Sequence, residues 1–313
     1  MSTSGTTTFN LDLNDLIEEA FERCGLELRS GYDFRTARRS MNLLTVEWAN
    51  RGINLWTVEQ GQITMNTGQA IYALPNNTID LLDQVIRQNQ GSSSNQIDIN
   101  ISRISESTYS TIPNKLTTGR PIQVWINRQS GQSSTTTATI TANITSTSTS
   151  IDVSDVTQLP ASGFIKLDNE LISYNTLTLT STSGVAGTLT NLGRGQQDTI
   201  PAAHTSGATI TLSNPPSINV WPSPNAGGGY TFVYWRMRRI QDVGGGVRTQ
   251  DIPFRLLPCL VSGLAYHMSM KLPQVPPDRI QMLKAAYEEQ WLMASTEDRE
   301  KANLRLAPRQ MFW

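Results

Sequence analysis

Apolar residues near the start of the chain recur every three or four positions, which is the period of an amphipathic helix. The first such segment covers residues 13–24, with Asp12 as its N-cap and Gly25 just beyond its end. A second segment begins after Asp33, places arginines opposite its apolar stripe and stops at Gly52. The chain is therefore predicted to open with a helical hairpin.

The same helical period returns near the C-terminus. One apolar stripe runs over residues 256–268 and is ended by Pro273, and a second runs over residues 280–294 after Pro277. Neither terminal pair of helices has enough apolar partners of its own. We therefore expect the N- and C-terminal helices to pack together beside the middle of the chain.

Between the helical ends, apolar and polar residues alternate in short runs separated by Gly, Pro and Asn, which is the pattern of antiparallel strands. The runs cover residues 55–64, 70–74, 81–87, 97–101, 122–128, 218–221 and 230–240. A long segment of different composition separates the fifth run from the sixth. The predicted β-domain is therefore discontinuous.

That intervening segment, residues 129–213, contains about 32 Ser or Thr among its roughly 85 residues and about seven charges. Such a composition also occurs in disordered linkers. An alternating, β-branched set of apolar residues between Ile151 and Tyr174 favours a small inserted β-domain instead. Residues 132–138 are then expected to form a flexible lead-in.

These patterns predict an α+β fold with a discontinuous helical bundle from the N- and C-terminal helices, an antiparallel β-domain and an inserted small β-domain. The predicted parts are residues 1–52, the N-terminal helices; 53–128 and 214–250, the antiparallel β-domain; 129–213, the inserted Ser/Thr-rich β-domain; 251–300, the C-terminal helices packing on the N-terminal ones; and 301–313, a C-terminal tail.

Composition reduces the number of functional classes to which the chain could belong. The 313 residues carry a net charge of -1, which gives no reason to propose a cationic nucleic-acid or membrane-surface binder. Arginine outnumbers lysine by 20 to 5, and arginine is the cation suited to ordered interfaces. Cys24 and Cys259 have apolar neighbours and are predicted to be core thiols. Since no run approaches 18 apolar residues, we expect no membrane span, and no export signal is visible.

Candidate chemistry is sparse. Neither of the two histidines, His204 and His267, has a Cys or His at metal-ligand spacing, and no nucleophile-elbow sequence accompanies either. The glycine runs at 227–229 and 244–246 lack phosphate-binding fingerprints. We therefore expect no catalytic, cofactor or metal site. Carboxylates that could include a hydrolase pair, without the spacing of a calcium loop, are Asp152, Asp155, Asp168, Glu170 and Asp198.

Aromatic residues and arginines interleave over residues 230–240, as they do on nucleic-acid platforms. A strand would place the aromatics on both faces, which favours a sheet packed on a core and edged by a charged contact. Any DNA contact there would be electrostatic rather than base-reading.

Outside residues 129–213, several short stretches follow one another in a recognisable order and spacing. They are Glu47-Trp48-Ala49-Asn50-Arg51-Gly52 with Leu55-Trp56; residues 63–74; Ser102-Arg103-Ile104-Ser105 with Ile112-Pro113-Asn114-Lys115 and Gly119-Arg120-Pro121; Val220-Trp221-Pro222-Ser223-Pro224; and Tyr234-Trp235-Arg236 with Arg238-Arg239-Ile240. In this order they resemble the head-to-tail adaptor proteins of short-tailed bacteriophages, the tail tubular protein A type.

The inserted segment resembles a different module, a small β-unit repeated in phage tail and fibre-associated proteins. The matching stretches are Ile151-Asp152-Val153, Leu159-Pro160, Phe164-Ile165, Glu170-Leu171-Ile172-Ser173-Tyr174, Leu192-Gly193-Arg194-Gly195, Ala202-Ala203-His204 and Gly207-Ala208-Thr209-Ile210. Shorter adaptors lack this module, so its role is left open by the resemblance.

The resemblance implies a non-enzymatic ring, usually a dodecamer, bound beneath the portal protein and above the tail nozzle protein of the virion, with DNA passing through its lumen. Such a ring assembles in the host cytoplasm. It needs a heterologous subunit interface, which arginine-rich surfaces favour. The residues predicted to form that interface are Arg236, Arg238 and Arg239.

In the family the resemblance points to, the C-terminal segment reaches into the portal. Residues 301–313 would then order on docking, and a frayed terminus is the alternative. The insertion is expected to meet tail fibre or spike proteins, or the nozzle. The other functions considered are a tail-associated cell-wall hydrolase and a receptor- or glycan-binding tail protein. The predicted portal-docking residues are Arg305, Arg309, Phe312 and Trp313.

Overall fold

A computed structural model describes residues 5–6, 9–52, 55–129, 132–180, 185–227, 229–244 and 247–298. Its mixture of helices and largely antiparallel sheets confirms the α+β class. The chain divides into two compact units. The helical unit contains the residues up to 58 and from 239 onward, and the β-unit contains residues 59–238.

The helices predicted from periodicity are confirmed. Asp12 caps the first helix by accepting a hydrogen bond from the backbone N–H of Asp15, and Gly25 ends it with a φ of 77°. The second helix begins earlier than predicted because the Ser30 hydroxyl caps the N–H of Asp33. The helices of the described residues are α1 (Leu13–Cys24), α2 (Gly31–Arg51), α3 (Glu106–Ser110), α4 (Leu257–Ser269) and α5 (Pro277–Glu297).

The predicted strand at residue 55 begins at Val58, because Leu55–Thr57 form a turn of 3₁₀ helix. The strands of the described residues are β1 (Val58–Thr64), β2 (Ile71–Ala73), β3 (Thr78–Gln88), β4 (Ile97–Asn100), β5 (Ser102–Arg103), β6 (Thr118–Gly119), β7 (Gln123–Asn127), β8 (Gln132–Thr139), β9 (Ser150–Val153), β10 (Gly163–Leu167), β11 (Glu170–Leu179), β12 (Gly187–Gly193), β13 (Thr209–Asn214), β14 (Ser217–Trp221), β15 (Ser223–Pro224) and β16 (Tyr230–Arg238).

Two four-stranded sheets of the β-unit share one hydrophobic core. The first sheet has the strand order β1-β16-β3-β4, and the second has the order β2-β14-β7-β5. In β7, β14 and β16 the residues that point into this core alternate along the strand, as the period of two requires. The core residues from β2, β3, β7, β14 and β16 are Tyr72, Leu81, Ile86, Val124, Ile126, Ile218, Val220, Tyr230, Phe232 and Tyr234.

The inserted segment forms a six-stranded sheet with the order β8-β13-β10-β11-β12-β9. Its two edges meet, since the N–H of Thr141 donates to the carbonyl of Asp152 and the N–H of Ser154 donates to that of Thr139, both at 2.9 Å. The sheet therefore closes into a small barrel with no free edge at this junction. Apolar side chains of all six strands fill its interior.

The expectation of a flexible lead-in at residues 132–138 is wrong. These residues lie in β8, which pairs antiparallel with β13 from Gln132 opposite Asn214 to Thr139 opposite Thr209. Most side chains of β8 are exposed, so the strand lacks the apolar alternation that would reveal it in the sequence. Backbone hydrogen bonds and the closure of the barrel fix it instead.

The barrel packs on β2 within the β-unit. Phe164 and Leu171 of the barrel form a small apolar cluster with Ala70, Ile71 and Ala73. The Gln69 side-chain amide donates to the Ser173 hydroxyl at 3.0 Å. A Cβ at Gly193 would overlap both of these groups, so glycine is required there.

Helix α4 lies at the centre of the helical unit and packs against α1, α2 and α5. Ten of its 13 residues are buried. Residues 55–58, 239–244 and 247–250 were predicted to belong to the β-domain but lie with the helices: the Trp56 ring N–H donates to the carbonyl of Asp251, and the N–H of Val243 donates to Asn42.

Gly263 permits the closest helix approach in this core, because a Cβ there would lie 2.8 Å from the Tyr287 ring and 3.0 Å from the δ carbons of Leu44. We expect Gly263→Val to lower the free energy of unfolding by about 1–3 kcal/mol through overpacking. Urea denaturation followed by helical circular dichroism measures this. Gly31→Val is the matched control, since a Cβ at Gly31 meets nothing within 4 Å. Equal stability of the two variants would contradict the packing argument.

Candidate functional site

Four charged side chains that are distant in sequence meet at one end of the barrel. Glu170 begins β11, Arg194 follows β12, and His204 lies in the segment before β13. Nε and Nη2 of Arg194 donate to the two carboxylate oxygens of Glu170, both at 2.7 Å. The ring of His204 lies between two carboxylates, with Nδ1 2.7 Å from Asp168 Oδ2 and Nε2 2.9 Å from Glu170 Oε2. We call these four residues the barrel cluster.

The barrel cluster surrounds the carboxylate of Glu170, whose side chain is only 1% exposed, with hydrogen-bond partners. Burial by itself opposes ionisation of Glu170, but hydrogen bonds from Arg194, the backbone N–H of Ala202 and His204 outweigh it and lower the pKa of Glu170 to about 2. The N–H of Gly195 donates to the same carboxylate.

This geometry is that of a structural anchor. Both oxygens of Glu170 already accept at least two hydrogen bonds each, so neither has a free lone pair directed at a substrate. A cavity of about 350 Å³ adjoins Asp168, Glu170 and His204. Over the residues that the structure describes, no group of three His, Cys, Asp or Glu side chains could hold a metal ion.

A second polar network joins α2 to the C-terminal helices. Glu47 accepts hydrogen bonds from His267 Nε2 at 3.1 Å and from the Tyr287 hydroxyl at 3.2 Å. The ring N–H of Trp48 donates to the same hydroxyl at 3.2 Å. Arg51 pairs with Glu47 at 3.0 Å. Burial lowers the pKa of His267 in spite of Glu47.

Both cysteines are buried and free, as predicted. Burial raises the pKa of the Cys24 thiol to about 11 and that of Cys259 to about 12. Both thiols are therefore protonated at neutral pH, and a protonated thiol is a poor nucleophile.

The predicted interface arginines lie largely within the protein. Arg236 Nη2 pairs with Glu59 Oε2 at 2.9 Å, and Arg238 Nε pairs with the other oxygen of Glu59. Both arginine side chains are only 11% exposed. Arg239 is more accessible and pairs with Asp242 at 3.0 Å. The side chain of Arg239 is therefore largely exposed, whereas those of Arg236 and Arg238 are largely buried against Glu59.

Helix α5 exposes three apolar side chains on the side opposite its buried face, and we call these three residues the outward stripe. Tyr287 and Ala294 face the core and are buried. Met282, Leu292 and Met293 point outward and are 71%, 67% and 56% exposed. The predicted portal-docking residues, Arg305, Arg309, Phe312 and Trp313, lie outside the described residues.

The association of the four residues of the barrel cluster was not predicted from the sequence. The module resemblance contained the signal, since the stretches quoted for it include Glu170, Arg194 and His204. Asp168 lies in the β10–β11 turn with a φ of 51°. These residues are up to 36 positions apart, so no helical or strand periodicity links them.

No protein-family model matches the chain, and no curated protein matches it significantly. Among the described helices, none is long and apolar enough to cross a membrane.

The barrel cluster predicts a strong effect of Arg194→Ala. Removal of Arg194 takes away the bidentate charged partner of the buried Glu170 carboxylate, which costs about 3–5 kcal/mol of unfolding free energy. Urea denaturation near pH 7 measures the loss. Arg87→Ala is the control, because Arg87 makes an equally short bidentate pair with Asp98 but at an exposed site, so its loss should be much smaller.

The difference in unfolding free energy between the parent chain and Arg194→Ala should also depend on pH, in a direction that the pKa of Glu170 sets. The pKa of Glu170 is lower in the folded state than its ordinary value of 4.5, so the pair stabilises the fold above that pH. The stabilisation is lost as pH falls from about 4.5 towards 2. The difference between the parent chain and Arg194→Ala should therefore shrink across this window. A difference that stays constant would show that the ion pair is not its source.

Proposed function

We propose that this chain is a head-to-tail adaptor of a short-tailed bacteriophage, a ring subunit that joins the portal protein to the tail nozzle protein and helps to retain packaged DNA. Its place would be in the virion, after assembly in the host cytoplasm, and its role would be structural rather than enzymatic. The starting point is the ordered resemblance of the stretches outside the insertion. Geometry adds support from surfaces that no described residue covers.

The outward stripe of α5 carries the proposal. Single exposed apolar residues are ordinary on protein surfaces, whereas a contiguous stripe along a helix marks a contact surface. Met282, Leu292 and Met293 fall within about 100° of the circumference of a 21-residue helix whose opposite side is packed in the core, with Ala285, Ala286 and Glu289 between them along the helix. A ring protein clamped between two other rings needs such uncovered surface.

Helix α5 ends at Glu297 and leads towards residues 301–313. The proposal assigns the outward stripe and this tail to one portal-docking surface. Arg305 and Arg309 would find carboxylates on the portal, and Phe312 and Trp313 would fill apolar pockets.

Residues of the quoted stretches make contacts that stabilise the fold. Glu47 and Trp48 from one stretch bond to Tyr287 in α5. The ring N–H of Trp221 donates to the carbonyl of Asn114 at 2.9 Å, and both residues belong to quoted stretches. The resemblance therefore falls on residues that hold the fold together.

In the proposed adaptor, contact with DNA and contacts made by the inserted barrel are secondary to portal docking. Since Glu59 pairs with both Arg236 and Arg238, these arginines offer little free charge to phosphates, and contact with DNA in the lumen would be non-specific. The barrel presents a polar surface with few charges, which suits an accessory contact with tail fibre, spike or nozzle proteins.

The test is to mix the purified chain with the portal protein encoded in the same genome and to follow the mixture by sedimentation velocity and electron microscopy. We expect a ring that co-sediments with the portal. Deletion of residues 301–313, or Leu292→Glu, should abolish co-sedimentation because each removes part of the docking surface. Ile200→Glu is the matched control, since Ile200 is an apolar residue of the barrel that is 82% exposed.

Circular dichroism confirms that each variant is folded. A parent chain that forms no ring with the portal would overturn the proposed function. A truncated chain that binds the portal as well as the parent would overturn the assignment of the tail alone.

A further inference from the structure

The helical unit has an open groove between α1 and the start of α4, with a volume of about 540 Å³. Phe9 and Phe254 at its sides are 76% and 71% exposed, so no described residue covers it. Its walls are apolar on one side and acidic on the other. The acidic side chains are Asp15, Glu18, Glu19 and Glu22, and the apolar ones are Phe9, Leu11, Phe254, Leu257, Pro258 and Val261. Arg23 also lines the groove and pairs with Glu19.

Helix α2 presents a complementary stripe to solvent. At 100° per residue, its five members fall within about 80° of the helix circumference. Apolar residues stand at both ends of the stripe and arginines stand between them. The stripe consists of Tyr32, Arg35, Arg39, Leu43 and Val46, all of them exposed.

The charges of both surfaces lack partners among the described residues. Glu19 pairs with Arg23, but Asp15, Glu18 and Glu22 form no ion pair with any described residue. Arg35 and Arg39 form none in that part of the chain either. Each surface therefore carries unbalanced charge of one sign beside exposed apolar area, and the signs are opposite.

The spacing of the charges also matches. Glu18 and Glu22 are four residues apart on α1, and Arg35 and Arg39 are four residues apart on α2. Each pair therefore spans about 6 Å along its helix axis. Two helices that pack side by side can align both charge pairs and bury the neighbouring apolar residues together.

We infer that copies of this chain join head to tail through the helical unit, with the arginine stripe of α2 in one copy seated in the acidic groove between α1 and α4 of the next. The two surfaces have no residue in common, so the contact is heterologous, the kind that closes into rings. A chain cannot fill its own groove in this way, because α1 and α2 are held in one core with both surfaces exposed. The inference rests on the proposed ring and names its subunit contact.

Charge reversal tests this contact. In one variant Arg35→Glu and Arg39→Glu reverse the stripe, and in another Glu18→Arg and Glu22→Arg reverse the groove. Like charges then face each other across the contact, and we expect the dissociation constant for self-association to rise by at least about 100-fold. Analytical ultracentrifugation of the full chain, with and without the portal protein, measures this. Arg29→Glu is the control, since Arg29 is 79% exposed outside both surfaces.

Combining the two sets of substitutions distinguishes loss of the charge-paired contact from misfolding of the variants. A chain with all four substitutions has a reversed but complementary pair of surfaces, so its assembly should be restored. A mixture of the two double variants should associate although neither does so alone, because each retains one intact surface. Loss of assembly without either rescue would overturn the inference.

The remaining outcomes distinguish failure of the inferred subunit contact from failure of the proposed function. If the parent chain forms rings and both double variants form them equally well, the inference is wrong and the proposed function stands. If the parent chain does not assemble even with the portal, the proposed function fails as well. If deletion of residues 301–313 abolishes self-association while stripe reversal does not, the basic tail occupies the groove and the inference is overturned.

Discussion

Helix α4 is buried on almost every side, and a helix of this kind is stable only when other helices surround it. The surrounding helices come from both ends of the chain: α1 and α2 precede it by some 200 residues, and α5 follows it directly. The helical unit therefore cannot form from either end alone. Gly263 lets Leu44 and Tyr287 approach α4 closely, and the network around Glu47 satisfies the polar groups at this crossing. The β-unit is connected to it as one long excursion from α2 to α4.

The inserted barrel of the β-unit must also satisfy a buried polar group, although the insertion contains only about seven charged residues. The barrel is rich in Ser and Thr, yet its core is apolar and its sheet closes on itself. Glu170 is the buried charge that this closure must accommodate. Arg194, His204 and two backbone N–H groups surround it, so loops from three parts of the barrel are fixed by one carboxylate. Three of the insertion's seven charged residues, Asp168, Glu170 and Arg194, therefore lie in the barrel cluster.

Local features of the sequence were sufficient to predict the helices. Asp12 and Gly25 bound α1 as their capping chemistry requires, and apolar periodicity located the other long helices. Strand β8 was missed because periodicity reports burial, and this strand is mostly exposed. The barrel cluster and the pairing of Glu59 with Arg236 and Arg238 join residues 24 to 179 positions apart. Such contacts depend on topology, which the order of residues along the chain does not reveal.

The ring proposal depends on the helical unit acting as one rigid body, because its uncovered surfaces belong to α1, α2, α4 and α5 together. Native-state hydrogen exchange on the full chain, comparing the parent with Trp48→Ala, tests this directly. Trp48 is fully buried on α2, and its loss costs about 3–5 kcal/mol in a packed core. If the two chain ends form one cooperative unit, the opening free energy of the α4 and α5 amides falls by about as much as that of the α2 amides. Loss of protection confined to α2 would contradict the account.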